Sequence, residues 1–171
     1  MLYVPGALCQ NAFIVEDLEA AVAHWTRILS VGPFFWYPKL QFTAGELHGK
    51  PHLPSFEGAI AYSGELMIEL IQPQGPSIFQ EFLDEGGRGV HHNCVLTGRF
   101  ALAEANFLAR GGKRVQAQTA IDGSRFAYFE FGGQTPVVIE LAQLKPACIT
   151  LFQLIREAAA AWDGRKQYLH F

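Results

Sequence analysis

Apolar residues recur along this chain with two periods, and the switches between them mark its elements. Ala7–Val15 (ALCQNAFIV) is short, apolar and compatible with a strand, and Glu16-Asp17 ends it. Asp17 has the side chain of a helix N-cap. Leu18, Val22, Trp25, Ile28 and Leu29 follow at helical spacing until Gly32-Pro33 stops the pattern. Phe34–Phe42 is aromatic-rich and extended in character. Thr43–Ser55, with Gly45, Gly49, Pro51 and Pro54, reads as a loop. Phe56–Tyr62 and Leu66–Ile71 read as two strands joined by a tight turn at Ser63-Gly64. The first half is thus strand, helix, strand, strand, strand.

The second half repeats that order. His91–Leu96 reads as a strand, Phe100–Ala109 as a helix ended by Gly111-Gly112, and Lys113–Thr119, Arg125–Phe131 and Pro136–Leu141 as strands. Aligning Gln10-Asn11 with His92-Asn93 brings the helices and following strands into step. The last strands then pair MIEL (67–70) with VIEL (138–141), at an offset shorter by the length of the extra loop in the first half. The chain is therefore read as one α+β domain over 1–171. It holds two βαβββ modules at about 7–72 and 88–143, and a linker at 73–87 with a helical turn near Ile78–Leu83. An added C-terminal helix follows at about 148–162.

Composition narrows the class. Half the residues are hydrophobic and only 17% are charged, which excludes a disordered chain. With 13 basic against 16 acidic residues and no basic cluster, a nucleic-acid partner is excluded. No apolar run is long enough for a membrane span, and Met1–Pro5 lacks the marks of a secretion signal, so a cytoplasmic location is expected. Cys9, Cys94 and Cys148 lie far apart, which fits buried free thiols rather than a disulfide or zinc framework. So few charges cover a monomer poorly, which points to a lined cavity, a subunit interface or both.

Four polar residues interrupt apolar strands at equivalent places in the two halves: Gln10, Glu69, His92 and Glu140. A carboxylate inside an apolar strand is costly unless paired or bound to a cation. One such Glu alone reads as a residue on the solvent face of its strand. A symmetric set of one imidazole, two carboxylates and one amide oxygen reads as a site for one divalent metal ion of Zn, Ni, Co or Mn type.

These segments, QNAFIVEDLEAAVAHW, MIELIQP, GVHHNCV and VVIELAQ, resemble the vicinal oxygen chelate superfamily, which includes glyoxalase I, methylmalonyl-CoA epimerase, extradiol dioxygenases and bleomycin-resistance proteins. The resemblance covers about 7–143, and GVHHNCV and IELIQP are most similar to the epimerase and glyoxalase-like group. It implies a curved mixed sheet around a central cleft, a homodimer, and metal ligands at Gln10, Glu69, His92 and Glu140, with His91 pointing to the other face. It also implies a metal-dependent isomerase or lyase that enolises a carbonyl or acyl-thioester small molecule, with Glu140 or Glu69 as base. Typical epimerases have His at the place of Gln10 and a second Glu where this chain has Ala61, so a one-base reaction fits these residues better than a two-base one. The alternatives are a sequestering protein for apolar ligands in the same fold and a dioxygenase, whose second inward-facing His the sequence does not supply.

Phe35, Trp36, Tyr62, Phe126 and Tyr128 are the expected walls of a pocket for an apolar or aromatic substrate, with ordinary strand packing as the other reading. His48 and His52 fall in the expected loop, as caps of the site or as solvated residues. His24 reads as surface and His170 as irrelevant to the site. Lys39, Lys50, Arg88 and Arg125 are candidates for holding an anionic group. Gly86-Gly87-Arg88-Gly89 lacks the strand-to-helix context of a dinucleotide loop.

Overall fold

The structure, a computed structural model, describes residues 7–37, 40–134 and 136–169. Lys39 and His170 lie outside the described residues. Module one consists of β1 (Leu8–Ile14), α1 (Leu18–Leu29), β2 (Phe34–Tyr37), β5 (Phe56–Ser63) and β6 (Leu66–Pro73), with β3 (Phe42–Leu47) and β4 (Lys50–Pro51) inserted between β2 and β5. The linker forms α2 (Ile78–Asp84). Module two consists of β7 (Val90–Leu96), α3 (Phe100–Ala109), β8 (Lys113–Ala120), β9 (Arg125–Phe131) and β10 (Val137–Gln143). Beyond it come α4 (Pro146–Ala160) and β11 (Tyr168–Leu169). All strands join one curved mixed sheet in the order β11-β2-β5-β6-β1-β7-β10-β9-β8-β3-β4.

The repeat expected from the sequence is visible in the pairing. In each module the first strand runs parallel to the last, β1 to β6 and β7 to β10, and the last pairs antiparallel with its predecessor. The modules meet where β1 and β7 pair antiparallel, with Asn11 opposite Asn93. There Asn93 Nδ2 donates to Asn11 Oδ1 at 2.7 Å, which satisfies two half-buried amides at the junction.

Helices cover the convex face. Asp17 caps α1 by accepting from Ala20 N at 2.9 Å, and α1 buries Leu18 and Val22 against Ala59, Ala61, Ile68 and Leu70. Under α3, Phe100 and Phe107 pack on Ala127, Phe129 and Leu141. The other side of the same strands faces the cleft, as strand alternation requires. α2 and α4 fill its ends through Phe79 and Ile155, both fully buried.

Three sequence expectations need correction. Thr43–Ser55 is not a loop: β3 and β4 form a hairpin around His48-Gly49, and β3 pairs with β8 of the other module. Both turn residues have positive φ, 48° and 76°, as a tight hairpin turn needs, and the exposed edge of β8 supplies a partner that local composition cannot reveal. The extended stretch Phe34–Phe42 is accordingly divided between β2 and the start of β3. The turn after β5 is Gly64-Glu65, because Ser63 still pairs with Leu66. The short β11, parallel to β2, has no counterpart in the sequence pattern.

Candidate metal centre

The four central strands bring Gln10, Glu69, His92 and Glu140 together on the concave face. His92 Nε2 stands 3.6 Å from Glu140 Oε2 and 3.9 Å from Glu69 Oε2. One potential ligand atom of each residue lies within 4.8 Å of the others. The Gln10 amide joins them, its Nε2 donating to Glu69 Oε2 at 2.5 Å.

A strand alternates faces, so His91 is expected to point away from His92. The structure corrects this. The register of β1 on β7 slips between Ala12–His92 and Phe13–Val90, leaving His91 as the extra residue of a bulge. The bulge sets His91 Nδ1 2.9 Å from His92 Nδ1, and both rings pack against Phe79. A matching slip in β1 between Leu8 and Gln10 turns Cys9 into the cavity beside Gln10.

The proton positions follow from these contacts. Burial, with the neighbouring His92 adding to it, pushes His91 down to about 3, so its ring is neutral at ordinary pH. Its contact with the Ile78 backbone favours a proton on the nitrogen that meets it. A His92 ring that donates from Nδ1 to His91 Nδ1 would carry its lone pair on Nε2, the form that can ligate a cation. His92 Nε2 is fully buried, has no hydrogen-bond partner, and faces two carboxylate oxygens. Two carboxylates facing a buried imidazole nitrogen are stabilised by a proton on that nitrogen or by a cation held between them. The donor set of one imidazole, two carboxylates and an amide therefore fits a divalent metal ion.

Each carboxylate also accepts a phenol. Tyr37 donates to Glu69 Oε1 at 2.5 Å and Tyr128 to Glu140 Oε1 at 3.0 Å. Burial, together with the carboxylates, holds both phenols well above the usual tyrosine range, so they remain donors. Behind Tyr128, Gln118 Nε2 donates to its hydroxyl at 3.3 Å, and Gln116 Nε2 donates to Gln118 Oε1 at 3.4 Å. Ile78 N in turn donates to Gln116 Oε1 at 3.1 Å. Ile78 thus ties α2 to the supports of both His92 and Glu140. Burial first, and then the Glu140 charge, push Glu69 up to about 7.

The centre opens on a cavity of about 360 Å³. Phe35 and Phe126 line it. The other three expected wall residues do not. Trp36 points to the convex side, where it packs on Tyr168 with ring centroids 5.7 Å apart, because it alternates with Phe35 and Tyr37 along β2. Tyr62 is buried in the core outside the lining, and Tyr128 stands behind Glu140. The free thiols Cys9, Cys94 and Cys148 converge on this one cavity despite their separation in sequence. α4 closes it with Leu151 and Phe152.

Sequence reasoning missed Tyr37, Gln116 and Gln118 as supports of the centre. The two glutamines carried the signal that marked Gln10 and Glu69, polar residues two apart in the strand KRVQAQTA. Tyr37 was hidden in an aromatic run. On β5, Ala61 faces α1 and Ile60 takes the place opposite Glu69, so no second carboxylate of that strand lines the cavity. Glu57 instead accepts from Gln74 Nε2 at 2.6 Å near the surface. His48 pairs with Glu81 at 2.9 Å, His52 with Pro76 O at 2.7 Å, Arg88 with Glu16 at 3.4 Å, and Arg125 lies over the Phe100 ring. Lys50 is exposed, His24 is on the surface of α1, and none of these six lines the cavity.

Residues 9–129 match the model of the Glyoxalase/Bleomycin resistance protein/Dioxygenase superfamily, and the chain belongs to that superfamily. Among solved structures, a hypothetical protein from Bacillus halodurans C-125 is 17% identical with a TM-score of 0.60, over 81% of this chain and 94% of that one. Methylmalonyl-CoA epimerase from Mycobacterium tuberculosis is 19% identical with a TM-score of 0.57, over 88% of this chain and 97% of that one. A methylmalonyl-CoA epimerase variant from Streptomyces coelicolor, in complex with 2-nitronate-propionyl-CoA, is 17% identical with a TM-score of 0.53, over 84% and 97%. At these identities the likeness is one of fold. No curated protein matches the chain. No helix among the described residues is long and apolar enough to cross a membrane.

Proposed function

We propose that this chain is a metal-dependent isomerase or lyase that enolises a carbonyl or acyl-thioester small molecule. The observation that carries the reading is the unpartnered, fully buried His92 Nε2 facing Glu69 and Glu140 beside an apolar cavity. His92, Glu69, Glu140 and Gln10 would hold one divalent ion of the Zn, Ni, Co or Mn class. When bound, such an ion supplies Lewis-acid stabilisation of developing negative charge on a substrate oxygen.

The chain's own groups account for the proton. Glu69 and Glu140 both line the cavity, so either carboxylate can take a proton alpha to a carbonyl lodged there. Burial and the Glu140 charge raise Glu69 to about 7 in the metal-free fold, and a bound cation would favour its ionised form, the form that accepts a proton. Tyr37 lines the cavity beside Glu69 and holds that carboxylate by its hydroxyl. The mainly apolar walls disfavour water around the transfer. Without a carboxylate on the cavity side of β5, one base serves the reaction.

The apolar lining also supports a second reading, a protein that sequesters a ligand without chemistry. The two readings part on metal analysis of chelator-free protein and on alpha-proton exchange into deuterated water. The enzyme reading expects about one ion per chain, lost in His92→Ala, and exchange lost in Glu140→Gln or Glu69→Gln. Metal-free protein with no exchange in any variant would favour sequestration. A dioxygenase has less support, since His91 is engaged with His92 rather than placed as a second ligand. A homodimer, the assembly implied by the family resemblance, belongs to the same proposal, and a purely monomeric sedimentation profile would remove it.

A further inference from the structure

The charge of the cavity narrows the substrate. This step rests on the function proposed above and concerns the same site. Its lining is built of rings and aliphatic chains, Phe35, Phe126, Phe152, Ile60, Met67 and Leu151 among them. Every charged side chain in the lining is acidic: Glu69, Glu140 and Asp122. Among the described residues no Lys, Arg or His reaches the lining.

The described cations nearest the cleft are placed elsewhere. Arg125 lies 4.0 Å from the centroid of the Phe100 ring. Arg114 bridges Glu46 and Glu104, and Arg156 on α4 reaches Glu65 at 2.8 Å instead of turning inward. Lys145 is exposed at the rim, its stem beside Gly123. Two carboxylates neutralise a divalent ion, so a substrate carboxylate in this cavity would bring net negative charge into an apolar space where the described residues offer no fixed cation to meet it. Asp122, turned onto Ser124 N at 2.8 Å and Ser124 Oγ at 2.9 Å, adds a further acidic group near the entrance.

We propose that the part of the substrate entering the cavity is an uncharged, apolar carbonyl group, aromatic or branched, and that an acyl group bearing a free carboxylate is rejected. A thioester carbonyl satisfies this condition, whereas a malonyl-type acyl group does not.

Two ligands with the same ring test it: 2-hydroxyacetophenone, which is neutral and has two adjacent oxygens, and phenylglyoxylate, which carries a carboxylate. Binding of each is measured by calorimetry on metal-free protein and on protein whose metal content has been determined. The expected result is at least tenfold tighter binding of 2-hydroxyacetophenone in both forms, weakened in Phe126→Ala. Equal or tighter binding of phenylglyoxylate overturns the inference, as does failure of both ligands to bind. Phenylglyoxylate binding that disappears in Lys39→Ala also overturns it, by revealing a cation that serves the site. A protein that takes up no metal but keeps the neutral preference overturns the metal reading alone.

Discussion

His91 and His92 are adjacent in sequence, yet their Nδ1 atoms stand 2.9 Å apart, because the bulge in β7 keeps both rings against Phe79. In the proposed metal site His91 is a positioning residue: by accepting from His92 Nδ1 it would leave Nε2 to bind the cation. Groups behind a metal ligand typically matter by about 10–100-fold in affinity. His91→Ala is expected to weaken Zn or Ni binding by about tenfold or more while the far-UV spectrum stays native. His91→Asn, whose carbonyl can still accept, should recover part of the loss. Calorimetric titration of the purified variants checks this, and unchanged affinity in His91→Ala would remove the relay.

Tyr37 reaches Glu69 only because β5 has no side chain at Gly58. A Cβ there would run into the Tyr37 hydroxyl and ring. Gly58→Ala is expected to displace the phenol, strip Glu69 of its donor and lower stability by about 1–3 kcal/mol, as overpacking of a filled core does. Tyr37→Phe removes only the hydroxyl and should cost about 1 kcal/mol. Urea unfolding of the two variants separates steric from hydrogen-bond effects: Gly58→Ala must be the more damaging.

The duplicated order of elements and the four residues of the centre were legible because each depends on local signals. Asp17, Gly32-Pro33 and the helical spacing of Leu18 and Val22 define α1, and a polar residue in an apolar strand is visible at Gln10, Glu69, His92 and Glu140. Partners distant in sequence were not legible. β3 is a strand because the edge of β8 is there to receive it, and β11 because β2 is. The His91 bulge arises from the register between modules, which alternation within β7 cannot foretell. Trp36 was misplaced for a related reason: the run Phe34–Tyr37 is aromatic on both faces, so composition could not say which rings meet the cavity.

α4 lies beyond the segment matched to the superfamily, yet it belongs to the core. Ile155 is fully buried in the main cluster, and Leu151 and Phe152 form part of the cavity wall. Ile155→Ala is expected to destabilise the protein by about 2–5 kcal/mol, the range for a buried aliphatic side chain truncated to Ala. An appended helix packed only at the surface would lose little. Thermal unfolding distinguishes these outcomes, and a change below 1 kcal/mol would place α4 outside the cooperative unit.

Glu69 supplies a pH dependence whose sign can be fixed. In the unfolded chain its carboxyl titrates near the ordinary 4.5; in the metal-free fold it is raised to about 7. The native state therefore holds this proton more tightly than the unfolded state, and stability falls as pH rises wherever the native state binds more protons. The contribution is fully present below about pH 4.5, declines between 4.5 and 7, and is lost above 7. Its size is on the order of 3 kcal/mol. Glu69→Gln removes the titration, so metal-free wild type should lose stability relative to the variant as pH is raised from 5 to 8. Added Zn or Ni should reverse the order at pH 8, because a bound cation favours the ionised carboxylates and stabilises the state that binds it. Chemical unfolding of both proteins across this range, with and without chelator, checks the sign. A wild-type advantage over Glu69→Gln that grows with pH in the presence of chelator would show that the carboxylate is not held in its neutral form by burial and by Glu140.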